Sequence, residues 1–180
     1  MSKRWMQLPA RVRDLCLFRG GPQDLPYAPG VLIALLIASA ILEAAFDLRS
    51  GSSVAVVIGA NIGTLVALGA LALMLRWRCK PARFVQAALG LAATGFLFEL
   101  IALPLALVVG HPSDPASLKG TQILAALVLF ALLVWQACIA ANILRQALEI
   151  PLAAGVLALL VLGFVDLFAS GLVAVLLGAT

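Results

Sequence analysis

Five long stretches of this chain, at about residues 27–47, 53–75, 83–110, 121–145 and 150–178, carry almost no charge. A helix needs about 20 apolar residues to cross a hydrocarbon layer of about 30 Å, so each stretch is long enough to span. All five are rich in Leu, Ala and Val and lack the alternation of a membrane strand. Helices are then the reading that satisfies every backbone group within its own segment. The fold class that follows is an all-α polytopic membrane protein, with five transmembrane helices in one bundle. Composition agrees. Hydrophobic residues make up 64% and charged residues 11% of the 180, leaving too few polar side chains to cover a water-soluble globule. A soluble enzyme and a disordered chain are both excluded.

The gaps between spans are punctuated as helix ends should be. Arg49-Ser50-Gly51-Ser52 forms a tight turn, Pro81 opens the third span and Pro151 the fifth, and His111-Pro112-Ser113-Asp114-Pro115 is a true loop. Residues 1–24 read as a basic amphipathic segment and 25–180 as the transmembrane domain. The first apolar run begins well inside the chain, so no cleaved signal peptide is expected.

Basic residues set the orientation. Lys3, Arg4, Arg11, Arg13, Arg19, Arg76, Arg78, Lys80, Arg83 and Arg145 fall on one side of the five spans, and only Arg49 and Lys119 on the other. The positive-inside rule then puts the N-terminus in the cytoplasm and the C-terminus outside, in a cell inner membrane. Arg11, Arg13, Arg19, Arg76, Arg78 and Lys80 are expected to meet anionic headgroups of the bilayer, which accounts for the net charge of +4 without any nucleic acid. Cys16, Cys79 and Cys138 are odd in number and do not form a disulfide framework, and with a single histidine no metal-ligand spacing exists. Neither a metal nor a cofactor is expected.

Within the N-terminal segment, Trp5, Leu8, Val12, Leu15 and Phe18 recur at three- and four-residue intervals while the arginines take other positions. This is a short amphipathic interfacial helix, either an anchor that stabilises the first span or a helix lying among headgroups or docked by a partner. It ends at Gly20-Gly21-Pro22, and the proline-rich residues 22–29 bend the chain into the membrane. Asp24 caps a helix or pairs with an arginine, and Tyr27 suits the membrane interface.

At Asp24, Leu25, Tyr27 and Pro29 the chain resembles the Yip1 family, whose members carry an Asp-Leu-Tyr-Gly-Pro-like segment just before the first of five spans. Here Pro26 is inserted and Ala28 stands where the family usually has Gly. The resemblance implies a cytoplasmic N-terminal segment and a C-terminus on the opposite side of the membrane.

Among the polar residues within spans, four stand out: Glu99, Asp166, Glu43 and Asn61. A charge at such depth costs at least several kcal/mol unless solvated or paired, and no Lys or Arg lies at matching depth. Two readings follow. Glu99 and Asp166, each on a stripe of small residues, are protonated and hydrogen-bond neighbouring helices, or they line a hydrated path. The stripes are Ala88, Ala92, Gly95, Glu99, Ala102 and Ala106; Gly59, Gly63, Ala67 and Ala70; and Gly163, Asp166 and Ser170. Gln136, Asn142 and Gln146 are expected to satisfy neighbouring helices, Arg145 to pair with Glu149, and Pro104 to kink the third span. No nucleotide-binding loop, zinc-protease motif or Ser/His/Asp set is present, so the chain reads as non-enzymatic. The leading expectation is a Yip1-like scaffold or assembly partner, acting through a membrane-protein partner or a homo-oligomer. Permeation of protons, cations or lipid through the mid-membrane carboxyls is the alternative.

Overall fold

A computed structural model describes residues 8–110 and 119–178. Among them are six α-helices and no strand: α1 (Leu8–Cys16), α2 (Pro29–Arg49), α3 (Val54–Trp77), α4 (Phe84–Val109), α5 (Gly120–Leu148) and α6 (Leu152–Leu176). The last five are each long and apolar enough to cross a membrane. Their outer surface is a continuous belt of exposed Leu, Ile, Val and Phe, such as Phe130, Leu133, Phe164 and Leu167. So much bare hydrocarbon suits lipid rather than water. This is a multi-pass membrane protein.

Local chemistry sets the helix ends close to the expected boundaries. Pro29 takes the first position of α2, where its missing N–H costs nothing. Gly51 turns the chain with φ +84°, and Ser53 Oγ accepts the Val56 N–H at 3.4 Å to start α3. A 3₁₀ turn at Pro81–Arg83 leads into α4, and Pro151 precedes α6. The helix of α5 runs past the expected residue 145 to Leu148 because arginines from elsewhere cap its end, as described below. Helix α4 continues through Pro104, whose absent N–H removes the donor for the Leu100 carbonyl. The loop 111–115, with His111, lies outside the described residues, as do Lys3, Arg4 and Trp5.

The bundle is laid out as a ring in the order α2, α4, α5, α6, α3, with α3 closing lightly on α2. Its tightest seam is between α3 and α6. A Cβ added at Gly59 would come 2.5 Å from the Ser170 carbonyl oxygen, and one at Gly63 would come 2.6 Å from that of Asp166. Only glycine lets the two backbones approach so closely. Gly155 does the same for α6 against α5, where a Cβ would sit 2.8 Å from the Ala141 carbonyl oxygen. The expected stripe on α6 is corrected at Gly163, which has open space around its Cα.

One end of the bundle holds most of the described arginines and is firmly tied. Arg78 donates to the carbonyls of Leu148 (3.2 Å) and Glu149 (3.4 Å), and Arg83 to that of Gln146 (3.3 Å). These are carbonyls that the end of α5 leaves without intrahelical donors, and cations there also complement the helix dipole. Glu149 pairs with Lys80 and with Arg83 (2.8 Å for the latter). The expected pairing with Arg145 is corrected here: Glu149 is the left-handed C-cap of α5, φ +52°, so its side chain no longer follows the helical i,i+4 geometry.

Helix α1 packs on α4 and α5. Leu15 and Cys16 are buried there, Leu8 and Val12 are half-buried, and the indole N–H of Trp135 donates to the Cys16 carbonyl at 3.2 Å. Burial pushes the Cys16 thiol pKa up. Arg11, Arg13 and Arg19 remain exposed. The amphipathic spacing is thus used against the protein's own bundle, with the basic face turned outward.

Candidate functional site

The carboxyls sit in the half of the bundle away from most of the arginines. Thr64 on α3, Glu99 on α4 and Asp166 on α6 each lie roughly ten residues from the far end of their helix, about 15 Å at 1.5 Å per residue. Their equal depth brings them to one level. On α2, Glu43 and Asp47 stand one turn apart on one face, nearer the far end. Together they line a cavity of about 390 Å³ walled by α2, α3, α4 and α6, whose remaining lining includes Leu42, Phe46, Ala60, Ala102, Leu103 and Ala106. Among the described residues no Lys, Arg or His lines it.

Neighbouring space continues this cavity. A second one, about 340 Å³, shares Glu43, Thr64, Glu99 and Ala102, and adds Ser39, Gly95 and Gln136. The volumes overlap and do not sum. Toward the arginine end the polar lining gives out: the space beyond Thr64 and Asp166 is walled by Leu68, Leu71, Leu91, Leu144, Leu159 and Leu162. Deeper still, Leu75, Leu89 and Ile143 are fully buried. The acid-lined space is therefore confined to one half of the membrane-spanning region.

Glu99 Oε1 and Asp166 Oδ1 are buried without a hydrogen-bond partner. Asp166 Oδ1 lies against the α3 backbone, 3.0 Å from where a Gly63 Cβ would be. Burying a carboxyl oxygen with no partner is costly, so the arrangement favours a proton or a cation at these groups. Each carboxyl also has a hydroxyl of a neighbouring helix beside it, Ser39 of α2 at Glu99 and Thr64 of α3 at Asp166, so one oxygen of each is placed for interhelical bonding while the other has no partner among the described residues.

No family model, curated protein or solved structure matches this chain. Function therefore has to be argued from the site itself.

Of the four polar residues singled out from the sequence, Glu43, Glu99 and Asp166 meet at one cavity. Asn61 does not: its side chain donates to the Val57 carbonyl of its own helix at 2.8 Å and lines a groove between α2 and α3. Asp47, Thr64 and Ser39 were not singled out. The spacing Ser39, Glu43, Asp47, a repeat of four, held the signal for two of them, because it places three polar groups on one face of an otherwise apolar helix.

The remaining sequence candidates lie at the arginine end. Asp24 accepts the Gly21 N–H at 2.8 Å and so stabilises the 3₁₀ turn Pro22–Asp24, rather than capping α2 or pairing with an arginine. Leu25 is buried, and the Gln86 side chain donates to its carbonyl at 2.9 Å. Tyr27 is 70% exposed, and Pro29 starts α2. This segment anchors the entry of α2 to α4 and α5. Arg76 and Arg78 are exposed, and Arg78 and Lys80 also bind within the protein, at Leu148 and Glu149.

Proposed function

We propose that this chain is a non-enzymatic, multi-pass inner-membrane protein, N-terminus cytoplasmic, whose carboxyl-lined cavity binds cations or protons and passes them across the membrane. The observation that carries this reading is the convergence of Glu43, Asp47, Glu99 and Asp166 from three helices on one cavity, with no basic side chain among the described residues of its wall. Ionisable groups inside a membrane face water-filled or ligand-filled space and mark pathways. Here the acids descend from Asp47 near the far end to Glu99 and Asp166 at mid-depth, which is the order a cation entering from that side would meet. Passage onward requires the leucine layer around Leu71, Leu144 and Leu162 to part.

A scaffold role is the second reading: α4 and α5 cover Leu15 and Cys16 of α1, while Arg11, Arg13, Leu17, Phe18 and Arg19 stay exposed and open to a partner or to lipid. Those arginines, with Arg76 and the exposed Trp77, support contact with anionic headgroups on the cytoplasmic side. Kinship with the Yip1 family belongs to the same proposal, supported by the five spans and by the anchoring role of the Asp24–Pro29 segment.

The test is flux of protons and alkali cations through purified protein in liposomes. Glu99→Gln and Asp166→Asn preserve shape and remove the charge, so each is expected to abolish flux while leaving the thermal midpoint in detergent nearly unchanged. Amide variants that carry normal flux would refute the proposal.

A further inference from the structure

An inorganic cation and an organic one ask different things of a cavity. A bare metal ion needs several oxygens drawn together at short range, typically six or more for Ca²⁺ or Mg²⁺. Among the described residues no three His, Cys, Asp or Glu side chains are close enough to hold one. The carboxyls instead stand apart around about 390 Å³, separated by Leu42, Phe46, Ala60, Ala102 and Leu103. That volume lies in the range of small-molecule sites, whose walls are mostly apolar with a few placed polar groups. The unpartnered, buried oxygens of Glu99 and Asp166 supply counter-charge, and Phe46 adds an aromatic ring to the lining.

The cavity also has a way in from the side. Between α2 and α3, which meet only lightly, runs a groove of about 210 Å³ that shares Glu43 and Thr64 with the main cavity and includes Ser39 and Asn61. Its lips, Ile37 and Leu65, are exposed on the hydrocarbon belt. A molecule dissolved in the bilayer thus has a polar-floored opening on the hydrocarbon side of the bundle.

Resting on the cation-handling reading above, we propose that the cavity binds a lipophilic ammonium ion, an organic cation with an apolar body, taken from the bilayer through the gap between α2 and α3. Charge complementarity places its nitrogen among Glu43, Glu99 and Asp166, and the apolar lining holds its hydrocarbon part.

Binding to the full chain in phosphatidylcholine nanodiscs, corrected with empty discs, tests this with three probes. Benzyltrimethylammonium carries both charge and ring, tetramethylammonium only the charge, and neopentylbenzene only the shape. The first is expected to bind saturably, and the other two at least about tenfold more weakly, since each lacks one half of the recognition. Glu99→Gln and Asp166→Asn are each expected to weaken benzyltrimethylammonium binding by about tenfold or more, the usual consequence of removing one member of a desolvated charge pair. Equal binding of tetramethylammonium, equal binding of neopentylbenzene, or full affinity in a variant with a normal thermal midpoint would each overturn the proposal. The probe series uses the unaltered chain, so it decides even if a variant fails to fold. Carboxyl-dependent proton or alkali-cation flux without benzyltrimethylammonium binding would sink the substrate class and spare the cation-handling reading. Binding without any flux would do the reverse.

Discussion

At the scale of single residues, Glu149 shows how one backbone angle redirects a charge. Its φ of +52° is a conformation that residues with a side chain seldom adopt, and the carboxyl it swings outward meets Lys80 and Arg83. Hydrogen bonding from Lys80, with the charges of Lys80 and Arg83 adding to it, holds the Glu149 carboxyl below its ordinary pKa. A depressed folded-state pKa means stabilisation that is complete above the ordinary glutamate range and is lost as pH falls through the lowered value. The unaltered protein is therefore expected to unfold at a higher temperature than Glu149→Gln at pH 7, with the gap closing as the solution is taken below pH ~4. Because the group is solvent-exposed the gap is small, and unfolding scans in detergent across that range measure it. A pH-independent gap would mean that the carboxyl contributes through shape alone. The sequence suggested Arg145 as its partner, since i,i+4 spacing assumes a helix that here has already ended.

At the scale of helices, the spans were legible because charge-free length is a strong signal. Which face meets which neighbour was only partly so. Gly59 and Gly63 were correctly placed on a close-packing stripe, whereas a Cβ added at Gly163, chosen by the same spacing, would meet nothing within 4 Å. Spacing defines a face but does not say whether lipid or another helix covers it. The contrast gives a paired prediction. Gly63→Ala forces a methyl against the Asp166 backbone and is expected to cost about 1–3 kcal/mol, as overpacking usually does. Gly163→Ala is expected to be neutral or slightly stabilising, because alanine favours helix over glycine by up to about 1 kcal/mol. Thermal midpoints of the two variants in one detergent check both. Similar losses in the two would show that helix conformation, rather than the α3 and α6 seam, governs the response. Asp47 and Thr64 escaped the sequence reading for a related reason: attention to mid-span depth passes over a polar group near a helix end, and a threonine in a span is common enough to look like filler.

At the scale of the whole molecule, the two ends of the bundle differ in character. One is clamped by Arg78, Arg83, Lys80 and Glu149 and sealed by buried leucines, while the other is hollow and acidic. In the proposed orientation, which follows the ten-to-two bias of basic residues, the clamped end faces the cytoplasm. Reporter fusions after Lys80 and after Thr180 are expected to read cytoplasm and exterior respectively, and a shared compartment would contradict an odd number of spans. The ring order also has a consequence for biosynthesis. Helix α3 finds its main partner, α6, about a hundred residues downstream. At roughly 5–20 residues per second, the ribosome leaves α3 waiting on the order of 5–20 s before α6 emerges. Throughout that interval the groove at Gly59 and Gly63 lies open to lipid, and the wall that carries Asp166 has not yet been made. The nascent protein thus passes through an unfinished four-span stage on the way to its mature form, and insertion factors and membrane proteases encounter it there.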